Sequence, residues 1–161
     1  MASAANPPPA DEQRLAAIAA ELADRVEAAV PGWIERLVRT RVQQWSGHVT
    51  AEAAAEAAAA GEAARADVVP RMRRLLEADI DDQVANPLEV LRHGTRHAHD
   101  ALARIGVPSV ARDDFAERSF PGDAYDLMPA TWSDVDPDLH EIGITWGAAK
   151  AFVHKARRRP G

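Results

Sequence analysis

The most constraining feature of this sequence is an alanine-rich stretch that follows Thr50 and reads AEAAAEAAAAGEAARA. Alanine has the highest intrinsic helix propensity, and threonine is a good helix N-cap. Between Val49 and Val68 no apolar side chain is larger than alanine. Such a helix lets a neighbouring backbone approach closely but buries little area per residue. We predict a packed or semi-packed helix over 51–66. The alternatives are an exposed helix or linker, and an exposed apolar face here would favour a homodimer.

The composition favours a thin core built from helices. Alanine supplies 35 of the 161 residues, whereas aromatic residues make up 5%. The chain has no cysteine, which excludes disulfides, thiol catalysis and cysteine-ligated metal sites. No apolar run approaches 18 residues, and the N-terminus lacks the pattern of a signal peptide. We therefore expect a cytoplasmic protein with no membrane partner.

Apolar residues recur every three or four residues over most of 11–106, which is typical of amphipathic helices. The first helix is predicted to begin at Asp11 or Glu12 and to end where Pro31-Gly32 interrupts the pattern. A second helix is predicted over 33–45. Its Trp33 and Trp45, and Trp132 further along the chain, are expected to be core anchors.

Two prolines mark further helix boundaries. Pro70 either starts a new helix or kinks a long one. Asn86-Pro87 combines an N-cap residue with proline at the first helical position, so a helix should begin there and run to about Ile105. Gly106 is expected to end it. Its apolar seam consists of Leu88, Leu91, Thr95, Ala98, Leu102 and Ile105.

These patterns divide the chain into four parts. Residues 1–10 are predicted to be a disordered leader, and 11–106 a helical bundle. Residues 107–145 contain four prolines and scattered aromatics, and they are predicted to form a loop-rich wrap on the bundle. Residues 146–161 are predicted to be a basic amphipathic helix and tail. The predicted fold class is all-α: a bundle of four to five helices, a loop-rich C-terminal wrap and a basic terminal helix.

His93, His97 and Asp100 are the strongest candidates for metal ligation. Their spacing places them on one helix face, as ligands of zinc or another divalent metal require. That face lies opposite the apolar seam, so it should be exposed unless another segment covers it. The simpler interpretation, three polar residues on a solvated face, is the one we favour, and no cofactor is predicted.

Other chemical motifs are weaker. Asp134, Asp136 and Asp138 resemble the start of a calcium loop, but Leu139 and Thr145 occupy the positions where glycine and glutamate are required. They are better interpreted as acidic caps of a short helical turn. No serine lies in a nucleophile elbow, and no glycine-rich phosphate loop occurs, so no catalytic residue is assigned.

The C-terminal segment is the best binding feature. Residues 121–147 contain six acidic residues and no Lys or Arg, whereas 148–161 contain five basic residues and no acid. A last helix capped by Thr145 would carry an apolar face of Trp146, Ala149, Phe152, Val153 and Ala156. The predicted partner-binding residues are Trp146, Lys150, His154, Lys155, Arg157, Arg158 and Arg159. Basic residues near a helix C-terminus also stabilise the helix itself, which is the alternative explanation.

Three segments of the C-terminal half resemble a known group of proteins. They are NPLEVLR, GVPSVARDDFAERSFPGDAYDLMPATWSDVDPDL and WGAAKAFVHKARR. Together, residues 86–161 resemble a family of small helical proteins of high-GC actinobacteria that has no assigned activity. The resemblance implies a bacterial source and a cytoplasmic setting, and it implies no catalytic residue or ligand.

The sequence therefore predicts a non-enzymatic protein-interaction or regulatory module. It would bind a protein partner through its helix faces and the basic C-terminal helix. Two alternatives stay open at this point. One is an RNA- or ribosome-associated factor that binds nucleic acid through the C-terminal tail, although the net charge of −6 disfavours simple attraction to phosphate. The other is a metal-binding protein or enzyme that uses the His93/His97 face.

Overall fold

A computed structural model describes residues 10–78, 86–108 and 131–158 of the chain. These stretches contain helices and no strand, so the all-α prediction is confirmed. The helices are α1 (Ala10–Ser46), α2 (Ala51–Leu76), α3 (Pro87–Gly94), α4 (Arg96–Arg104), α5 (Trp132–Val135) and α6 (Leu139–Arg158). Most of the predicted leader and of the predicted wrap, residues 1–9 and 109–130, lies outside the described residues.

The longest helix, α1, is the common neighbour of most of the others. It contacts α2, α4, α5 and α6, while α3 and α4 pack on α2. α2 runs antiparallel to α1, because Arg73 bonds to Glu27 (2.6 Å) whereas Gly61 lies beside Pro31. α6 is also antiparallel to α1, since the Arg157 guanidinium, near the end of α6, contacts Glu12 at 2.6 Å. None of the described helices combines the length and the apolar character needed to cross a membrane.

The predicted helix break at Pro31-Gly32 is wrong, because α1 is continuous for 37 residues through this pair. Proline in a helix interior removes one backbone hydrogen bond and normally breaks or kinks the helix. Here the residues on either side belong to one buried stripe: Val30 and Ile34 are 0% exposed, and Trp33 is 2% exposed. The burial of this stripe outweighs the local cost of the proline.

The alanine-rich helix is packed, as predicted. α2 begins at Ala51, and the Thr50 hydroxyl accepts a hydrogen bond from the Ala53 amide at 3.1 Å. One face of the helix is buried at Ala53, Ala57, Ala60, Gly61 and Ala64. Pro70 lies inside α2 and starts no new helix. The alanine face is therefore buried within its own chain, and it is not available to a second copy.

The helix predicted from Asn86 is present but divided. α3 starts with the Asn86 side chain accepting from the Leu88 amide at 3.0 Å, and α4 ends before Gly106, whose φ is 75°. Thr95 separates the two helices. Its hydroxyl donates to the Arg92 carbonyl at 2.6 Å. Such a side-chain bond competes with the regular backbone hydrogen bonds of a helix. Leu91, Thr95, Ala98 and Leu102 are buried, which confirms the predicted seam.

The last helix begins earlier than predicted. α6 starts at Leu139, so Thr145 is an internal residue whose hydroxyl donates to the Glu141 carbonyl at 2.8 Å, and it is not a cap. Two of the three preceding acids, Asp134 and Asp136, act as caps as predicted. The Asp134 carboxylate accepts from the Thr131 amide, and the Asp136 carboxylate accepts from the Asp138 amide, both at 2.9 Å.

Gly61 gives a direct test of the contact between α1 and α2. A β-carbon at this position would lie 2.5 Å from the Pro31 carbonyl oxygen, a backbone atom that cannot move aside. We expect Gly61→Ala to lower the free energy of unfolding by about 1–3 kcal/mol, measured by urea titration. Gly147→Ala is the matched control, because nothing lies within 4 Å of its β-carbon. That substitution should stabilise the chain by about 0.5–1 kcal/mol through helix propensity. Equal gains at both positions would contradict the close approach.

Candidate functional site

The inner face of α6 anchors this helix to the rest of the chain. Leu139, Ile142, Trp146, Lys150 and Val153 recur every three or four residues, and each is 9% exposed or less. This spacing forms one stripe along a helix, and α1 is the neighbour that covers it. The stripe fixes the rotation of α6 and so decides which of its residues face outward.

Three of the predicted partner-binding residues serve the fold. Trp146 is 5% and Lys150 is 8% exposed, with the Lys150 ammonium 5.3 Å from the centroid of the Trp146 ring. A cation at this distance from an aromatic face is held by a cation–π attraction. Arg157 forms the ion pair with Glu12. These side chains contact their own chain, so the basic flank is less open than the sequence indicated.

The remaining predicted partner-binding residues differ in environment. Lys155 is exposed, and it has no ion pair within the stretches that the structure describes. His154 is partly buried and takes part in an interaction. Arg159 and the side chain of Arg158 lie outside the described part of the chain. Among the five predicted residues whose side chains the structure describes, Lys155 and Arg157 are exposed, and Arg157 is paired with Glu12.

The opposite side of α6 is apolar and exposed. Ile144 is 55% and Phe152 is 60% exposed, and the exposed Ala148 lies between them in sequence. Glu141 and Lys155, both exposed, extend this strip toward the two ends of the helix. We call Glu141, Ile144, Ala148, Phe152 and Lys155 the outer face of α6. Within the described residues, nothing covers it.

The apolar face predicted for the last helix therefore combined residues that lie on two different sides of α6. Trp146 and Val153 face the core, whereas Phe152 faces outward. Glu141 and Ile144 were missed because the helix was predicted to begin after them. Their spacing from Ala148, seven and four residues, was the available signal.

The tryptophans divide between core and surface. Trp33 and Trp132 are buried, at 2% and 8% exposed, as predicted for core anchors. Trp45 was also predicted to be a core anchor, and this is wrong, since it is 53% exposed near the end of α1. It lies outside the buried stripe of α1, whose last buried member is Val42.

An open groove runs beside the outer face, between α1 and α6. Its volume is about 450 Å³, and its lining is Ile18, Glu21, Arg25, Pro137, Asp138, Glu141, Ile142 and Thr145. The Arg25 guanidinium in this groove donates to Glu21 at 2.9 Å and to the Asp138 carbonyl at 3.5 Å. The groove is thus a mixed polar and apolar extension of the outer face.

The three candidate metal ligands lie in different environments: His93, on α3, is partly buried, whereas His97, on α4, faces Asp67 of α2. His97 Nε2 lies 2.9 Å from an Asp67 carboxylate oxygen, and the two side chains are 17% and 20% exposed. The Arg71 guanidinium contacts the same carboxylate at 3.1 Å. Asp100 is exposed. Among the described residues, no group of three or more His, Cys, Asp or Glu side chains is placed to hold a metal.

The network around Asp67 is typical of a structural ion pair. Burial raises the pKa of Asp67, but the hydrogen bond with His97, the charge of Arg71 and the electrostatic influence of His97 and His93 together lower it by more. The pKa of Asp67 therefore lies below its ordinary value of 3.8. The carboxylate stays ionised and ties α2 to α4, so its perturbation needs no catalytic explanation.

This network predicts a pH-dependent contribution to stability. Because the folded pKa of Asp67 is lowered, its ionised form stabilises the fold above the unfolded pKa, and this stability is lost as the pH falls through the folded pKa. We expect Asp67→Asn to lower the free energy of unfolding by about 1–3 kcal/mol at neutral pH. The difference from the unmodified chain should shrink below about pH 4, measured by urea titrations at several pH values. Asp100→Asn, on the exposed side of α4, should have little effect at any pH. A pH-independent difference for Asp67→Asn would contradict this account.

Comparison of the chain with protein-family models, with curated protein sequences and with solved structures gives no significant match. The function proposed below therefore rests on the contacts and exposures of this chain's own residues.

Proposed function

We propose that this protein is a non-enzymatic interaction module that binds a protein partner through the outer face of α6. The observation that carries this proposal is the exposure of Ile144 and Phe152, at 55% and 60%, on one side of a helix. The opposite side of that helix is anchored to α1, so the apolar strip is held in place on a folded support. Contiguous exposed apolar surface with a charged border is typical of interaction sites.

The distribution of charge favours a protein partner over the nucleic-acid alternative. Lys150 is buried against Trp146, and Arg157 is paired with Glu12, so two of the basic residues of α6 are committed to the fold. A phosphate backbone is bound by exposed Lys and Arg side chains, and the chain as a whole carries a net charge of −6. A cytoplasmic setting and kinship with the actinobacterial helical proteins remain parts of this proposal.

The metal-binding or enzymatic alternative also finds less support than the interaction proposal. His97, its central residue, is engaged by Asp67, and Asp100 does not join that cluster. The strongest feature left for binding is apolar and lies on α6. A helix face that presents a few large apolar anchors is a common mode of helix recognition.

The test removes one exposed aromatic from the outer face and one from elsewhere. We expect Phe152→Ala to weaken capture of the stoichiometric partner by at least about tenfold, because aromatic anchors dominate interface energies. Trp45→Ala is the matched control, since Trp45 is a similarly exposed aromatic on α1. Capture is measured by native pull-down of the tagged full chain with quantitative mass spectrometry.

A nuclease-treated sample and thermal unfolding of each variant accompany the pull-down. Partners that survive nuclease, depend on Phe152 and tolerate the change at Trp45 support the proposal. Equal capture by the Phe152→Ala variant would contradict it. Loss of every partner on nuclease treatment would replace it with the nucleic-acid alternative. Reversal of Lys150 or Arg157 to Glu is a poor test, because it disturbs the contacts that hold α6.

A further inference from the structure

We propose that the outer face of α6 binds the same face of a second copy of this chain, with the two helices antiparallel. This inference rests on the proposed function, because it uses the same face, and it names the partner. It is carried by a symmetry in the order of residues along α6. Ala148 is its centre: Ile144 and Phe152 lie four residues before and after it, and Glu141 and Lys155 lie seven residues before and after it.

A two-fold axis beside Ala148 would place each of these residues at the same height as its counterpart in the second copy. In an isologous pair, residue i contacts residue j of the partner, and j contacts i. With Ala148 opposite Ala148, each Ile144 lies at the height of the partner copy's Phe152, about 6 Å from the axis, given 1.5 Å rise per residue. Both exposed large apolar residues of α6 are then covered by one contact.

The ends of the face are complementary in charge under the same operation. Glu141 lies at the height of Lys155 of the second copy, about 10 Å from the axis, and the reciprocal pair lies at the other end. Within the described residues neither side chain has an ion pair, so both are available. A parallel arrangement would instead place Glu141 beside Glu141 and Lys155 beside Lys155, which is repulsive. The charges therefore select the antiparallel orientation.

The centre of the face allows close packing. Ala148 is exposed and small, and helices pack at 8–10 Å depending on the side chains at their contact. The paired region covers about 21 Å of helix, from 141 to 155. A single helix pair of this length is smaller than a standard stable interface, so we expect a micromolar dimer in exchange with the monomer.

Sedimentation of the full chain over a wide concentration range tests the pairing. The unmodified chain should dimerise. Glu141→Lys alone places Lys against Lys at both ends, and Lys155→Glu alone places Glu against Glu, so each variant should dimerise at least about tenfold more weakly. Mixing the two variants should restore association, because one chain then carries lysine at both positions and the other carries glutamate. The weakening in each single variant requires the antiparallel register, because a parallel pair would carry like charges at both ends before and after either change. The rescue on mixing shows that charge pairing, and not damage to either chain, causes that weakening.

The controls separate this inference from the proposed function. Asp100→Lys makes the same change of charge as Glu141→Lys, but on α4, and it should leave dimerisation unchanged. Circular dichroism checks that every variant is folded. A chain that stays monomeric at every concentration, or single variants that dimerise like the unmodified chain, would overturn the inference. A monomer that still captures another protein through Phe152 would overturn self-association and leave the proposed function intact. The dimer and the mixing rescue could also be present while Phe152→Ala leaves the capture of other proteins unchanged. That result would support the pairing and contradict the binding of a different protein through this face.

Discussion

The close approach of α1 and α2 is the contact on which the rest of this structure depends. The alanine face of α2 lets the two backbones meet, and Gly61 admits the Pro31 carbonyl where any larger residue would collide. Small residues bury little area each, so the larger side chains of α1 must supply most of the apolar burial. The pair then presents two further surfaces: α3 and α4 cover one along α2, and α6 covers another along α1.

Much of this architecture could be predicted from the sequence, because strong local signals agreed with the packing. Thr50 and Asn86 cap the helices that they were expected to cap. The predicted apolar seam is buried along its middle, and its two ends, Leu88 and Ile105, are partly buried. The predictions failed where a local signal opposed the packing. Pro31 carries a helix-breaking signal, but the burial on both of its sides keeps α1 intact. Local propensity is a weak prior wherever many buried residues act together.

The candidate surface was harder to predict than the fold. The apolar residues of the last segment cover most of the circumference of a helix, so periodicity alone does not say which side is buried. Only the position of α1 turns Trp146 inward and Phe152 outward. The same rotation buries Lys150, a residue whose charge normally signals exposure. Its aliphatic stem and its ring contact make that position tolerable. The four-residue spacing of Trp146 and Lys150 places them side by side on a helix, but it does not say whether that side is buried.

The pairing of α6 with α1 has a consequence for the order of folding. Glu12 and Arg157, through which the two helices meet, are 145 residues apart in the chain. α1 and α2 are joined by a short turn, so they can pair as soon as both have been synthesised, whereas the stripe of α1 that α6 covers stays exposed until α6 has been made. Contacts that close such long loops form late and slow the folding of a domain. Until α6 docks, part of the first helix stays uncovered, and a nascent chain at this stage is at its most prone to aggregate.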